Sequence, residues 1–77
     1  MSKITWSAKN NSSFLNGGRS AKTIRGAVMA ARRYVMGELF GEGIITIFED
    51  GRPIRQDERS IFTGMKWATK KLNEVNS

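Results

Sequence analysis

Cysteine and histidine are both absent from the 77 residues, which removes most of the chemistry a small domain can carry. No disulfide framework, thiolate metal site, nucleophile–histidine pair or imidazole acid–base couple can be built. Carboxylates, cations, hydroxyls and aromatic rings remain. Asp57-Glu58 and Glu49-Asp50 are adjacent carboxylate pairs, the groups that glycosidases and nucleases use. Neighbours along a strand point to opposite faces, and arginines interleave these pairs, so they read as solvated or surface-paired side chains rather than as a catalytic couple. Gly17-Gly18-Arg19-Ser20-Ala21-Lys22-Thr23 leads a loop into a helix, the setting of a phosphate-binding loop. That pattern needs glycine immediately before the lysine, and Ala21 stands there. Trp6 and Trp67 can stack nucleic-acid bases, but in so small a core at least one is structural, and Trp6 is assigned that role. The residue types therefore point to a non-enzymatic binding protein with no catalytic residue, cofactor or metal.

Charge says more. Formal net charge is +6. Residues 1–37 hold seven cations (Lys3, Lys9, Arg19, Lys22, Arg25, Arg32, Arg33) and no acid. Residues 38–60 hold six acids against three arginines, and 61–77 hold three lysines against Glu74. An acid-free half points to a polyanionic partner, either nucleic acid or an acidic protein surface. A membrane surface fits less well, because the helix described next has a modest, alanine-rich apolar face that the core needs. No stretch approaches the length of a membrane span, and Met1-Ser2-Lys3-Ile4-Thr5-Trp6 lacks the apolar run of a signal peptide.

The element that positions the cations is a helix. Gly17 and Gly18 break the chain and Ser20 is placed to cap an N-terminus. Ala21, Ile24, Ala27, Val28, Ala31 and Val35, with Leu39 beyond them, recur at the spacing of one helix face. Lys22, Arg25, Met29, Arg32, Arg33 and Met36 fall on the opposite face, within roughly one third of the circle. These six, with Arg19, are the expected contact residues. Gly37 and Gly41 bracket the helix end. Arg19, Lys22 and Arg25 would crowd cations at the N-terminal turn against the helix dipole. That arrangement is either an anion site or a solvated face that tolerates the cost.

A hairpin follows. Ile44 to Glu49 has strand composition, and Asp50-Gly51 fits a two-residue turn with positive φ. That turn predicts Glu49 opposite Arg52, Phe48 opposite Pro53, Ile47 opposite Ile54 and Ile45 opposite Gln56. Ile45, Ile47 and Ile54 would then face the helix. Pro53 places its strand at an edge, or itself on the strand's open side. Upstream, Lys3 to Lys9 alternates as a half-buried strand, with Ile4, Trp6 and Ala8 inward. Asn10 to Gly18 reads as a polar loop in which Ser12 to Leu15 can pair back on that strand, Phe14 and Leu15 plugging the core. In the tail, Ile61, Met65, Ala68, Leu72 and Val75 fit a helix over Thr63–Asn73. A turn at Thr63-Gly64 between two strands, Trp67 in the second, is the competing reading.

Two resemblances bear on this order. Gly17-Gly18-Arg19 before Ile24 faintly resembles the glycine loop of KH domains, but Leu15-Asn16 replaces its first glycine and the preceding helix is missing. Ser20 to Arg33, then Gly43-Ile44-Ile45-Thr46-Ile47 and Asp50-Gly51-Arg52-Pro53-Ile54, resemble in architecture very small phage and prophage β-α-β-β accessory proteins. Those include host-polymerase inhibitors and anti-CRISPR proteins. The resemblance covers about half the chain and contains no diagnostic motif. It implies a stoichiometric blocker of a host machine, acting in the cytoplasm of a bacterial host cell. Many such inhibitors are acidic DNA mimics, which a basic chain is not.

The expected structure is one α+β domain over residues 1–77: a mainly antiparallel sheet of about three strands packed on one long helix, with a short C-terminal helix. Its expected partner is a host protein or protein–nucleic-acid complex with an acidic surface, the alternative being direct binding to DNA or RNA phosphates.

Overall fold

Alternation makes the first strand. In the computed structural model, which describes residues 2–10 and 19–72, Ile4, Trp6 and Ala8 of β1 (Ile4–Lys9) are buried and the residues between them are not. β1 pairs on one side with β2 (Arg19–Ala21) and on the other with β3 (Gly43–Glu49). β3 continues through a turn into β4 (Arg52–Arg59), and β4 pairs with β5 (Ala68–Lys71). Among the described residues the sheet has five strands in the order β2-β1-β3-β4-β5, every pair antiparallel. One helix, α1 (Ile24–Glu38), packs on β1, β3 and β2. The segment Ser12 to Leu15, with its expected strand and core plug, lies outside the described residues.

The helix face is the one the periodicity predicts, displaced at its start. Ala27, Val28, Ala31, Val35 and Leu39 are buried. Ser20 is not the cap. It lies in β2 opposite Thr5, because pairing with β1 keeps the chain extended through Ala21. Thr23 caps instead, its hydroxyl accepting the Gly26 N–H at 2.9 Å. Ala21 therefore joins the core from a strand, and Ile24, in the first turn, is partly exposed.

The Asp50-Gly51 turn forms with φ of 53° and 85°, the two positive values a type I′ hairpin requires. Asp50 also ties down the chain start. Its N–H donates to the Lys3 carbonyl, and its carboxylate accepts the Lys3 N–H at 2.9 Å. Glu49 faces Arg52 and Phe48 faces Pro53, as expected, but the register then shifts between Ile47 and Phe48. Ile47 faces Arg55 and Ile45 faces Asp57, not Ile54 and Gln56. A bulge at Ile54 absorbs the extra residue. Ile45 and Ile47 are fully buried and Ile54 packs partly against the core, while Arg55 and Asp57 turn to the helix side of the sheet. β4 is no edge, since β5 covers Arg55 to Glu58; Pro53 lies beyond that pairing.

The expected C-terminal helix is replaced by a short turn and a strand, close to the competing reading. A 3-10 turn, Ile61–Thr63, is capped reciprocally: Ser60 Oγ accepts the Phe62 N–H at 3.1 Å and Thr63 Oγ1 accepts the Ser60 N–H at 2.9 Å. Gly64 and Met65 then take positive φ, which no helix continues through, and β5 fills the ladder that β4 would leave open. The two strands beyond the expected three are the short edges β2 and β5.

Candidate functional site

Of the expected contact residues, Arg25, Met29, Arg32, Arg33 and Met36 lie in α1, Lys22 just before it and Arg19 on β2. Arg19 is exposed on β2, Lys22 in the bend before α1 and Arg25 in its first turn. Lys22, just before the Thr23 cap, and Arg25 thus remain at the helix N-terminus, whereas Arg19 belongs to the strand before it. Arg33 is exposed and, with Arg19, Ala30, Tyr34, Gly37 and Glu38, lines a shallow recess over Trp6. Trp6 is buried, its ring 5.8 Å from that of Tyr34, in the structural role assigned to it.

Arg32 is half-buried, its guanidinium turned toward the sheet. Its Nε and Nη2 donate to Asp57 Oδ2 at 2.9 and 2.7 Å. Arg55 donates to the same carboxylate, Nε to Oδ1 at 2.9 Å and Nη2 to Oδ2 at 3.2 Å. The Arg32 guanidinium also lies 4.8 Å from the centre of the Trp67 ring. Asp57 is fully buried, so the carboxylate expected to be solvated or surface-paired is paired with arginines, but inside the fold. The bulge is the cause, because it turns Asp57 toward α1. Burial by itself raises the Asp57 pKa, but hydrogen bonds from Arg55 and Arg32, with the positive charges of both, hold it below the ordinary carboxylate value. Glu58 points to the other face, its Oε2 accepting the Ser60 hydroxyl at 2.7 Å. The two neighbours cannot work as one acid–base couple. Among the described residues, no group of three or more carboxylates is placed to hold a metal ion.

What α1 offers to solvent beside Arg25 and Arg32 is apolar. Met29 and Met36, seven positions and about two turns apart, are 54% and 50% exposed. Sequence reasoning missed a second apolar group at the C-terminal end of the helix and after β4. Phe40 is 89% exposed, Phe62 87% and Ile61 71%. Phe40 follows the helix with φ of 60°, a backbone that aromatic residues seldom adopt. Phe62 borders a small cleft lined by Asn10, Glu42, Ile44, Glu58 and Ser60. The bare presence of phenylalanine next to glycine at 40–41 and of Ile61-Phe62 after a polar run was the available signal. No described helix is long and apolar enough to cross a membrane.

Comparison with protein-family models, with curated proteins and with solved structures finds no match to this chain.

Proposed function

We propose that the chain is a non-enzymatic binding protein that docks through the exposed flank of α1 on an acidic protein surface. Arg25, Arg33 and the outer part of Arg32 supply the charge, and Met29 and Met36 supply adaptable apolar contact. The observation that supports this reading best is the half-exposure of both methionines among cations on one helix flank. A face that meets only phosphates needs its cations and gains little from methionine. The resemblance to small phage accessory proteins makes the partner a host nucleoprotein or defence enzyme, met in the cytoplasm of a bacterial host and inhibited or modulated by occupation. Direct binding to DNA or RNA is the second reading, favoured by the acid-free charge of residues 1–37.

The test compares two double variants in capture of a partner from host lysate. Met29→Ser with Met36→Ser should keep the melting temperature within a few degrees and weaken capture roughly tenfold or more, as loss of an interface anchor does. Arg25→Gln with Arg33→Gln should weaken it too; Arg32 is left in place because it holds Asp57. If the methionine pair is silent while the arginine pair abolishes capture, direct nucleic-acid binding replaces this reading.

A further inference from the structure

β5 is an edge strand whose four residues are all exposed, and among the described residues nothing pairs with its outer side. α1 packs over β1, β2 and β3, so the helix-side face of β4 and β5 extends past it as a ledge, reached from the helix by Arg32. The ledge carries an excess of positive charge. Arg55 sits directly opposite Lys71, a like-charge cross-strand pair that costs stability when left alone. Arg32 adds a third cation, and among the described residues Asp57 is the carboxylate that Arg32 and Arg55 hold. The bonds to Asp57 use Nε and Nη2 of both arginines, leaving each Nη1 outside them. Thr69 Oγ1 stands at the same place, 3.4 Å from Arg55 Nη2. On the other face of β5 is Lys70, opposite Gln56, while Ala68 is opposite Glu58.

From this arrangement we infer that β5 takes an extended acidic polypeptide segment as a sixth strand, with alternate carboxylates over Arg32, Arg55 and Lys71. The free strand edge selects a polypeptide, because a nucleic acid cannot continue a backbone ladder. The charge selects an acidic one. A second copy is the wrong occupant: two β5 edges would bring Lys70 and Lys71 against themselves, and a β2 edge would bring Arg19. The inference rests on the reading that the partner is an acidic protein, but it uses the β5 edge, which shares only Arg32 with the methionine flank.

The experiment titrates isotope-labelled full chain with a short peptide alternating glutamate and valine, at about 150 mM salt, and follows backbone amides. Shifts should concentrate at Ala68 to Lys71, with a dissociation constant in the range of about 10 μM to 1 mM. The same peptide N-methylated on alternate amides should bind at least roughly tenfold more weakly, since it keeps the charge and loses the ladder. Lys71→Glu should lower affinity about tenfold and preserve the fold, because the new carboxylate faces Arg55. The charge-matched control Lys9→Glu, on β1, should leave affinity within about twofold, the limit of simple net-charge attraction through salt. Equal binding of the N-methylated peptide, shifts centred on α1, or displacement of the peptide from β5 by oligothymidylate at lower concentration would each overturn the inference. Failure of the strand-edge inference leaves the methionine comparison to be decided by its own variants, so the two readings fail separately.

Discussion

Asp57 is a buried carboxylate in a chain that carries six excess positive charges. Desolvating it is expensive, and two guanidiniums with four hydrogen bonds offset that cost. Its consequence is specificity of register. A slip of one residue in β4 would turn Asp57 to the open face and leave Arg32 without its acceptor. Asp57→Asn keeps the shape but turns an amide N–H2 group toward a guanidinium. The arginine side chains are 32% and 31% exposed, so water screens part of the loss, and the expected destabilisation is about 1–3 kcal/mol at pH 7 by urea unfolding. The pH dependence follows from the lowered pKa. Its stabilisation is complete above the unfolded carboxylate value, about 3.9, and is lost as pH falls toward the lower folded value. The stability gap between wild type and Asp57→Asn should therefore be level from about pH 5 to 8 and narrow below about pH 4. A gap that stays level down to about pH 2 would show that Arg32 and Arg55 do not favour the charged form.

At the scale of elements, the helix is held close to the sheet where Gly43 begins β3. A Cβ there would stand 2.9 Å from the Lys9 carbonyl oxygen and 3.1 Å from Leu39 Cδ1. The first neighbour is backbone and cannot swing aside, so Gly43→Ala should cost about 1–3 kcal/mol, read by thermal unfolding. An unchanged melting temperature would mean that β1 and α1 part there at little cost. The same close approach marks what can be read from sequence. The core face of α1, the alternation of β1 and the Asp50-Gly51 turn are each written in neighbouring residues, and each is found. The strand edges are not. β2 and β5 are short and polar, and they exist only because β1 and β4 offer them a ladder. The tail fits helical spacing at Ile61, Met65, Ala68 and Leu72, yet the Ser60–Thr63 capping and two consecutive positive-φ residues settle it otherwise. The bulge at Ile54 has no periodic signature either, and with it went the true partner of Arg32. The methionine flank was legible, because a helical wheel needs no register.

At the scale of the whole molecule, a charge of +6 attracts any polyanion, so weak attraction to DNA by itself does not separate the two functional readings. The spread of the cations makes a separating measurement possible. Arg19, Lys22, Arg25 and Arg33 are exposed, whereas Arg32 is committed to Asp57. On the protein-docking reading, any binding of an arbitrary duplex at about 50 mM salt should be no tighter than about micromolar and should vanish near 200 mM. The log–log salt slope counts the phosphates neutralised, so Arg25→Gln with Arg33→Gln should reduce it by up to about 2. Met29→Ser with Met36→Ser should leave both slope and affinity unchanged, because methionine neutralises no phosphate. A nanomolar complex with one sequence that survives 200 mM salt would reverse the assignment, making α1 a nucleic-acid-reading helix and its methionines contacts to base edges or sugar. No shift of any nucleic acid at about 50 mM salt would remove direct binding altogether and leave the acidic protein surface as the target.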